Sequence, residues 1–308
     1  MSGKLKVLSL FDGISCGMVA IERAGLEVEK YVAYEVEPNA IEVSKYNYPK
    51  IMQKGDVFAA KYEEEFDLLI GGSPCTHWSI AKAGGNREIT SSGVGWELFM
   101  QYVRALNEVK PKYFLYENNE SMSDDIKKEI TKQLGVEPIM INSADFSAQI
   151  RKRYYWTNIP VDFNYKKSSL VLSDILYEHD NYTIRNFEKY KDTVKWNKDK
   201  TVCSWDTSGK GYYSQCNRCR TINVKSNTLL ASGDDKIKIY LDNYKCRKLH
   251  PVEAERLQTL PDNYTECIKS QSKRIGLVGN GWTVDVIAHI LKGLRSVLTE
   301  SDDVKTIL

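Results

Sequence analysis

"LSLFDGISCG", residues 8–17, is the stretch on which the fold turns. An apolar, strand-like run, "KVLSLF" (6–11), breaks at Gly13 and Gly17, and an amphipathic run follows through Met18–Gly25. Glycine lets a backbone turn tightly and come close to a ligand. The GxGxxG spacing of a dinucleotide fingerprint is absent, so a nucleotide-type ligand and an ordinary strand–helix turn fit the stretch equally well. The same alternation then repeats. "KYVAYEV" (30–36) leads into Pro38–Tyr46, and "FDLLIGG" (66–72) leads through a Gly/Ser-rich loop (84–95) into Glu97–Val109. "KYFLYEN" (112–118) leads into Met122–Leu134. Strands alternating with helices predict a parallel sheet covered on both faces. Ligands of such sheets bind at the carboxyl ends of the strands, near the point where the strand order reverses.

With 308 residues, the chain has room for one large domain or a large and a small one. Apolar content of 42% and charged content of 27% are those of a globular protein. No segment approaches the ~18 consecutive apolar residues of a membrane span. The first apolar run is too short for a signal peptide, and Asp12 follows it at once. A cytoplasmic protein with no membrane association is the expectation. Seven cysteines (Cys16, Cys75, Cys203, Cys216, Cys219, Cys246 and Cys267) fit no paired framework and read as reduced thiols. Cys216 and Cys219 form one CxxC, but Cys203 and Cys246 give irregular spacing for a second ligand pair, and no metal site is expected. His77, His179, His250 and His289 show no metal spacing either.

Beyond about residue 165 the pattern changes. Residues 166–249 hold 17 Lys and Arg against 10 Asp and Glu, a net +7, which leaves −5 on the rest of a chain whose total is +2. A basic segment on an acidic body suits a polyanion partner, although a solvated mixed-charge insertion has the same balance. Tyr182, Tyr190, Trp196, Trp205, Tyr212 and Tyr213 lie among the bases. They fit nucleic-acid contacts or the core of a small domain. "TVDVIAHILKGLRSVL" (283–298) returns to helical spacing and is expected to pack on the first domain.

Strand tips carry the candidate chemistry. Glu35 ends the second strand, where an acid can bond ribose hydroxyls, and Asp56 of "GDV" (55–57) lies near the third. Cys75 follows Pro74 on a turn after "FDLLIGGS", and Glu117 ends the next strand in "YENNES" (116–121). Adjacent tips of a parallel sheet share a cleft, which would bring a thiol beside a carboxyl able to act as a general acid. "QIRKRYYW" (149–156) supplies Arg151, Lys152 and Arg153, and arginine suits phosphates and base edges. Singly, each has a plain reading: Cys75 as a small buried hydrophobe, the arginines as a solvated face.

Taken in order, the motifs resemble those of the DNA (cytosine-5) methyltransferases. "FDGISCG", "YEVEP", "GDV", "GGSPC", "YENN", "QIRKRYYW", "RKLHPVEAERLQTLPDNYT" (247–265) and "RIGLVGNGWTV" (274–284) carry the resemblance, which leaves out only about 166–215. Trp282 after the "GNG", and "GGSPC" where many relatives have "GGPPC", make it most similar to the de novo branch of that family in a bacterial or phage setting. "PCTHWS" stands where many bacterial relatives have "PCQxFS".

The resemblance implies a Rossmann-like α/β methyltransferase fold with a mainly parallel sheet, plus a small irregular α+β target-recognition domain. The boundaries expected are 1–165 for the catalytic domain, 166–269 for target recognition and 270–308 for a segment returning to the first. S-adenosyl-L-methionine is the implied cofactor, lined by Phe11, Asp12, Gly13, Glu35, Val36, Asp56, Val57, Pro74, Asn280 and Trp282. Cys75 is the implied nucleophile toward C6 of a cytosine, Glu117 its partner at N3, and Arg153 the O2 and phosphate contact with Arg151 in support. The base would be flipped from double-stranded DNA, with the loop 76–95 closing over it. No obligatory protein partner is expected, and a monomer is the default. A tRNA-methylating enzyme and a silent DNA-binding paralogue are the alternatives. The first has its own signature after Pro-Cys, not evident here, and the second would have lost motifs that this chain keeps.

Overall fold

A computed structural model describes residues 4–74, 78, 88–179, 182–231 and 237–305, with backbone alone at 215 and 296–305. The chain divides into two compact units, residues 1–142, 152–165 and 284–308 in the first and 143–151 and 166–283 in the second.

In the first unit the expected alternation is present: β1 (Leu5–Leu10), α1 (Cys16–Arg23), β2 (Val28–Tyr34), α2 (Pro38–Asn47), β3 (Met52–Gln53), β4 (Leu68–Gly71), α3 (Val94–Val109), β5 (Tyr113–Asn119), α4 (Asp124–Leu134), β6 (Ile139–Asn142) and β7 (Lys152–Thr157). Seven described strands form one sheet in the order β3-β2-β1-β4-β5-β7-β6. The pairs from β3 through β5 are parallel, and β7 runs antiparallel to both β5 and β6. The strand order reverses between β1 and β4, which opens a crevice at their carboxyl ends. Every residue of β4 and β5 is buried, as a strand covered on both faces requires.

Local sequence sets the helix ends. Pro38 starts α2 behind Glu37, whose carboxylate accepts from the Asn39 and Ala40 amides. Ser123 caps α4 through the Ile126 amide, Asp124 and Asp125 fill its first turn, and Gly135 in the left-handed region ends it. The last helix, α7, spans Val284–Lys305 in this unit and packs on α1, where Asp285 pairs with Arg23 at 2.6 Å. Gly293 is required there, because a Cβ would lie 1.9 Å from the Pro160 carbonyl oxygen.

The second unit holds β8 (Ile184–Asn186), β9 (Lys195–Trp196), β10 (Val202–Ser204), β11 (Arg218–Arg220), β12 (Lys238–Tyr240), β13 (Lys245–Lys248), α5 (Pro251–Leu257) and α6 (Gln271–Asn280). Its sheet runs β8-β13-β12-β11-β10-β9 and is antiparallel except for β11–β12. One face carries a core of Phe187, Cys203, Trp205, Cys219 and Cys246. Phe187 and Trp205 stack with centroids 4.0 Å apart. Trp205 is therefore core, whereas Trp196 and Tyr212 keep 38% and 70% of their surface exposed. Cys219 of the CxxC faces Cys203 across the β10–β11 pair, with sulfurs 2.8 Å apart. No group of three or more metal-ligating side chains is arranged to hold an ion among the described residues.

The unit boundaries differ from those expected at two places. Residues 143–151 belong with the second unit, because Gln149 bridges to Ser226 and its amide group donates to Leu257 O and Gln258 Oε1. The return to the first unit begins at Val284 rather than at 270. Helix α6 is held against α5, Gln258 donates to the Val278 and Gly281 carbonyls, and Thr283 donates to Gln258 at 2.7 Å.

Candidate active site

At the end of β1 the backbone enters the left-handed region at Phe11 (φ +57°), Gly13 (φ +59°) and Ser15 (φ +60°). Nothing lies within 4 Å of where a Gly13 Cβ would be, so conformation, not crowding, calls for glycine. Glu35, at the tip of β2, locks this loop. Its Oε2 accepts from the Gly13 amide at 2.7 Å, and its Oε1 accepts from the Val36 and Glu37 amides.

Asp12 stands differently from the expectation. Its Oδ1 accepts from the Ser9 and Tyr31 hydroxyls and its Oδ2 from Ser15 Oγ, so the carboxylate faces into the protein rather than outward to a ligand. Burial pushes its pKa above the ordinary carboxylate range, against the pull of the three hydroxyl donors, and nearby Glu35 adds to the rise.

Asp56 caps the short turn Val57–Ala59 by accepting from the Phe58 amide at 2.9 Å. Val57 is a core residue at 5% exposure, and its carbonyl accepts from Arg104. Of the two apolar neighbours, the one that reaches solvent is Phe58, at 51%, joined by Val36 at 64%. Phe58 escaped the sequence reading, since alternation within a three-residue turn cannot be seen from apolar periodicity.

β4 ends in Gly71, where a Cβ would lie 2.8 Å from the Leu10 carbonyl oxygen. The chain then runs through Gly72 and Ser73 to Pro74. Cys75 lies outside the described residues, as do Thr76, His77 and 79–87, which include Gly84 and Gly85 of the expected closing loop. On the neighbouring strand Glu117 is 9% exposed and pairs with Arg153, Oε1 to Nε 3.0 Å. The antiparallel return of β7 makes this possible, since Asn119 sits opposite Arg153 and Glu117 opposite Tyr155.

Arg151 is not a second copy of Arg153. It belongs to the other unit, where its guanidinium donates to the carbonyls of Leu229, Gly279 and Gly281. Its chemistry is that of a backbone clamp. Asn280 ends α6 and Trp282 follows in the same unit. Gly279 before them has no room for a side chain, with a Cβ falling 2.5 Å from Leu230 O.

A mainly parallel sheet thus carries a glycine turn and acidic tips on one side of its switch point and a carboxylate–arginine pair on the other, at the strand ends where such α/β folds bind their ligands. The chain belongs to the C-5 cytosine-specific DNA methylase family, whose model matches residues 5–296. It is similar to the type II methyltransferase M.FnuDI of Fusobacterium nucleatum, 28% identical over 344 residues that cover 98% of this chain and 97% of that protein. M.NgoPII of Neisseria gonorrhoeae is 25% identical over 96% of each chain. The orphan methyltransferase M.SPRI of Bacillus phage SPR is 33% identical over 52% of this chain and 39% of its own. In fold, the chain is similar to the Entamoeba histolytica methyltransferase EhMeth (TM-score 0.69, 15% identity, 96% of this chain and 99% of that one) and to the S. pombe Dnmt2 methyltransferase (TM-score 0.66, 15% identity, 97% and 99%). As in the family, the cofactor is S-adenosyl-L-methionine and the substrate is DNA. The open Gly13 loop, the acidic tips and the exposed Val36 and Phe58 fit an adenosine-bearing, partly apolar cofactor. Among the described residues no helix is long and apolar enough to cross a membrane.

Proposed function

We propose that the chain transfers a methyl group to C5 of a cytosine flipped out of duplex DNA, through a covalent bond between Cys75 and C6. The observation that carries this reading is the Glu117–Arg153 pair at the tip of β5, on the strand hydrogen-bonded to the one that leads into Pro74 and Cys75. The Cys75 thiolate adds to C6. Glu117 meets N3 and supplies the proton or hydrogen bond that absorbs the developing ring charge. Arg153 contacts the O2 side of the base and holds Glu117. C5, made nucleophilic by the addition, takes the methyl group. A water takes the C5 proton, N3 gives any proton it received back to Glu117, and the Cys75 sulfur leaves C6 as thiolate, which restores the aromatic ring. Cytosine C5 and C6 are out of reach inside a duplex, which is why flipping is part of the reading.

S-adenosyl-L-methionine, when bound, supplies the electrophilic methyl group. Phe11, Asp12, Gly13, Glu35, Val36, Asp56, Val57 and Pro74, with Phe58 beside them, would hold it, and Asn280 and Trp282 join the set by the family motif alone. The second unit, with the +7 segment 166–249, supplies phosphate and base contacts. A bacterial or phage-infected cytoplasm is the setting this reading expects, with a monomer as the default.

Purified protein is expected to move labelled methyl from S-adenosyl-L-methionine to duplex DNA, and Cys75→Ala to abolish this. Duplex carrying 5-fluorocytosine is expected to trap an adduct that maps to the Cys75 peptide, because fluorine does not leave as a proton. Full-rate transfer by Cys75→Ala would falsify the covalent route. Preference for tRNA over duplex DNA as acceptor would move the chain to an RNA substrate.

A further inference from the structure

The turn that precedes Cys75 is held from three sides by buried polar groups that the proposed chemistry does not use. Ser73, Tyr116 and Asn118 are 4%, 0% and 1% exposed. Ser73 Oγ and Tyr116 Oη are 2.7 Å apart, and the Ser73 amide also points at the Tyr116 hydroxyl. Asn118 Nδ2 donates to Ser73 O at 3.2 Å, to Tyr116 Oη at 3.1 Å and to Ser73 Oγ at 3.4 Å. The other end of the same amide, Asn118 Oδ1, accepts from Asn119 N and Asn119 Nδ2. The amide, hydroxyl and carbonyl of one serine are thereby tied to the two residues that flank Glu117 in sequence.

Burial of so many polar groups costs free energy unless each finds a partner, and here they satisfy one another. Burial also raises the pKa of the Tyr116 hydroxyl, so it stays a neutral donor and acceptor. Tyr116 is itself fixed in orientation by the rings of Phe99, Tyr102 and Trp156, with centroids 4.8–5.8 Å away. A serine places no covalent restraint on φ, as a proline at this point would. Three hydrogen-bonding groups supply that restraint instead.

We propose that Ser73 and Tyr116, joined through Asn118, are positioning residues that set the backbone entering Cys75 in register with Glu117. This rests on the reading of Cys75 and Glu117 as the reacting pair. Strand pairing alone leaves the residues after Gly71 free to pivot, because the β4–β5 register ends at Gly71 and Tyr116. The network begins where that register stops.

The test compares Ser73→Ala, Tyr116→Phe and the hydroxyl-retaining Ser73→Thr with the parent protein. Three quantities are read: the single-turnover rate of methyl transfer to duplex DNA, S-adenosyl-L-methionine affinity by calorimetry, and the pH profile of Cys75 alkylation by iodoacetamide, followed on its own peptide by mass spectrometry. Ser73→Ala and Tyr116→Phe are expected to slow transfer roughly tenfold to a hundredfold, the scale of a misplacement of about 1 Å. They are also expected to change the Cys75 alkylation profile, with cofactor affinity within about twofold of the parent. Ser73→Thr is expected to recover most of the rate. Parent-like rates and alkylation in both folded variants overturn the proposal. So does a rate loss that follows cofactor affinity and is not recovered by Ser73→Thr, which is the mark of a purely structural role. If Tyr116→Phe does not fold, the two Ser73 variants decide alone. A parent protein that leaves cytosine unmethylated while its Cys75 alkylation responds to Ser73→Ala removes the functional reading and keeps the positioning one.

Discussion

Replacing Glu117 by Gln changes one atom's chemistry at the tip of β5 and has two separable consequences. The carboxylate Oε1 lies 3.0 Å from Arg153 Nε, and both side chains are only 12% exposed. At that distance, with an effective dielectric of about 20, the direct attraction is about 5 kcal/mol. Desolvation of the two charges offsets most of it, which leaves a net coupling of about 1–3 kcal/mol. Glu117→Gln keeps the shape but strands the Arg153 charge, so urea unfolding is expected to show a loss of about 1–3 kcal/mol. In a double-mutant cycle, Arg153→Ala on top of Glu117→Gln is expected to cost less than it does alone. The catalytic consequence is larger. A glutamine amide cannot deliver a proton to N3, so the single-turnover rate is expected to fall by roughly 10²- to 10⁴-fold, or about 2.7–5.5 kcal/mol of barrier. The two readouts are independent: stability reports the ion pair, and transfer rate reports the proton. A Glu117→Gln protein that transfers methyl within about threefold of the parent removes the carboxylate from the chemistry. A coupling energy indistinguishable from zero removes the ion pair from the fold.

The other predictions concern the second unit. His250 caps α5 by accepting from the Val252 amide at Nδ1, and burial, aided by the adjacent His179, lowers its pKa to about 4 from 6.5. A lowered folded value means stability that is present above pH ~6.5 and lost as pH falls toward about 4. Because the ring is partly exposed, about 1–2 kcal/mol is expected to be lost. His250→Asn, which keeps a capping acceptor, is expected to flatten the dependence of the urea midpoint between pH 7.5 and 5, and an unchanged slope would refute the assignment. Glu253 is fully buried and accepts from Arg247 NH1, Arg247 NH2, the His250 amide and the Tyr177 amide. Glu253→Ala is expected to cost about 3–5 kcal/mol by leaving Arg247 buried and unpaired, read by thermal or urea unfolding. Gly279→Ala places a Cβ 2.5 Å from Leu230 O and 2.6 Å from Leu230 C, backbone atoms that cannot swing away. A loss of about 1–3 kcal/mol is expected, against none if the α6 turn relaxes freely.

The strands and helices of the first unit were legible because each is signalled locally. The apolar runs at 6–11 and 66–72 need burial on both faces, and Pro38, Ser123 and Gly135 mark helix ends by their own backbone chemistry. What stayed hidden depends on partners distant in sequence. Nothing near Asp12 says that the Tyr31 hydroxyl, nineteen residues away, will donate to its carboxylate. Nor does the sequence show that Val57 turns into the core while Phe58 beside it stays exposed.

Arg151 and Arg153 make the same point about parity. Two arginines separated by one residue would share a face if one strand held both. Only Arg153 lies in β7, which begins at Lys152. Arg151 is the last residue of a segment that crosses into the second unit, and Gln149 just before it is already bridged to Ser226. The strand boundary therefore falls inside the RxR motif and splits its charges between two tasks. One guanidinium meets the Glu117 carboxylate, and the other closes three backbone carbonyls at residues 229, 279 and 281. Lysine would have to reach the same carbonyls from a single nitrogen, whereas Arg151 spreads them over two nitrogens of its fork. Arg151→Lys is thus expected to act on the stability of the second unit first and on methyl transfer only through it, whereas Arg153→Lys keeps the charge but loses the geometry at Glu117.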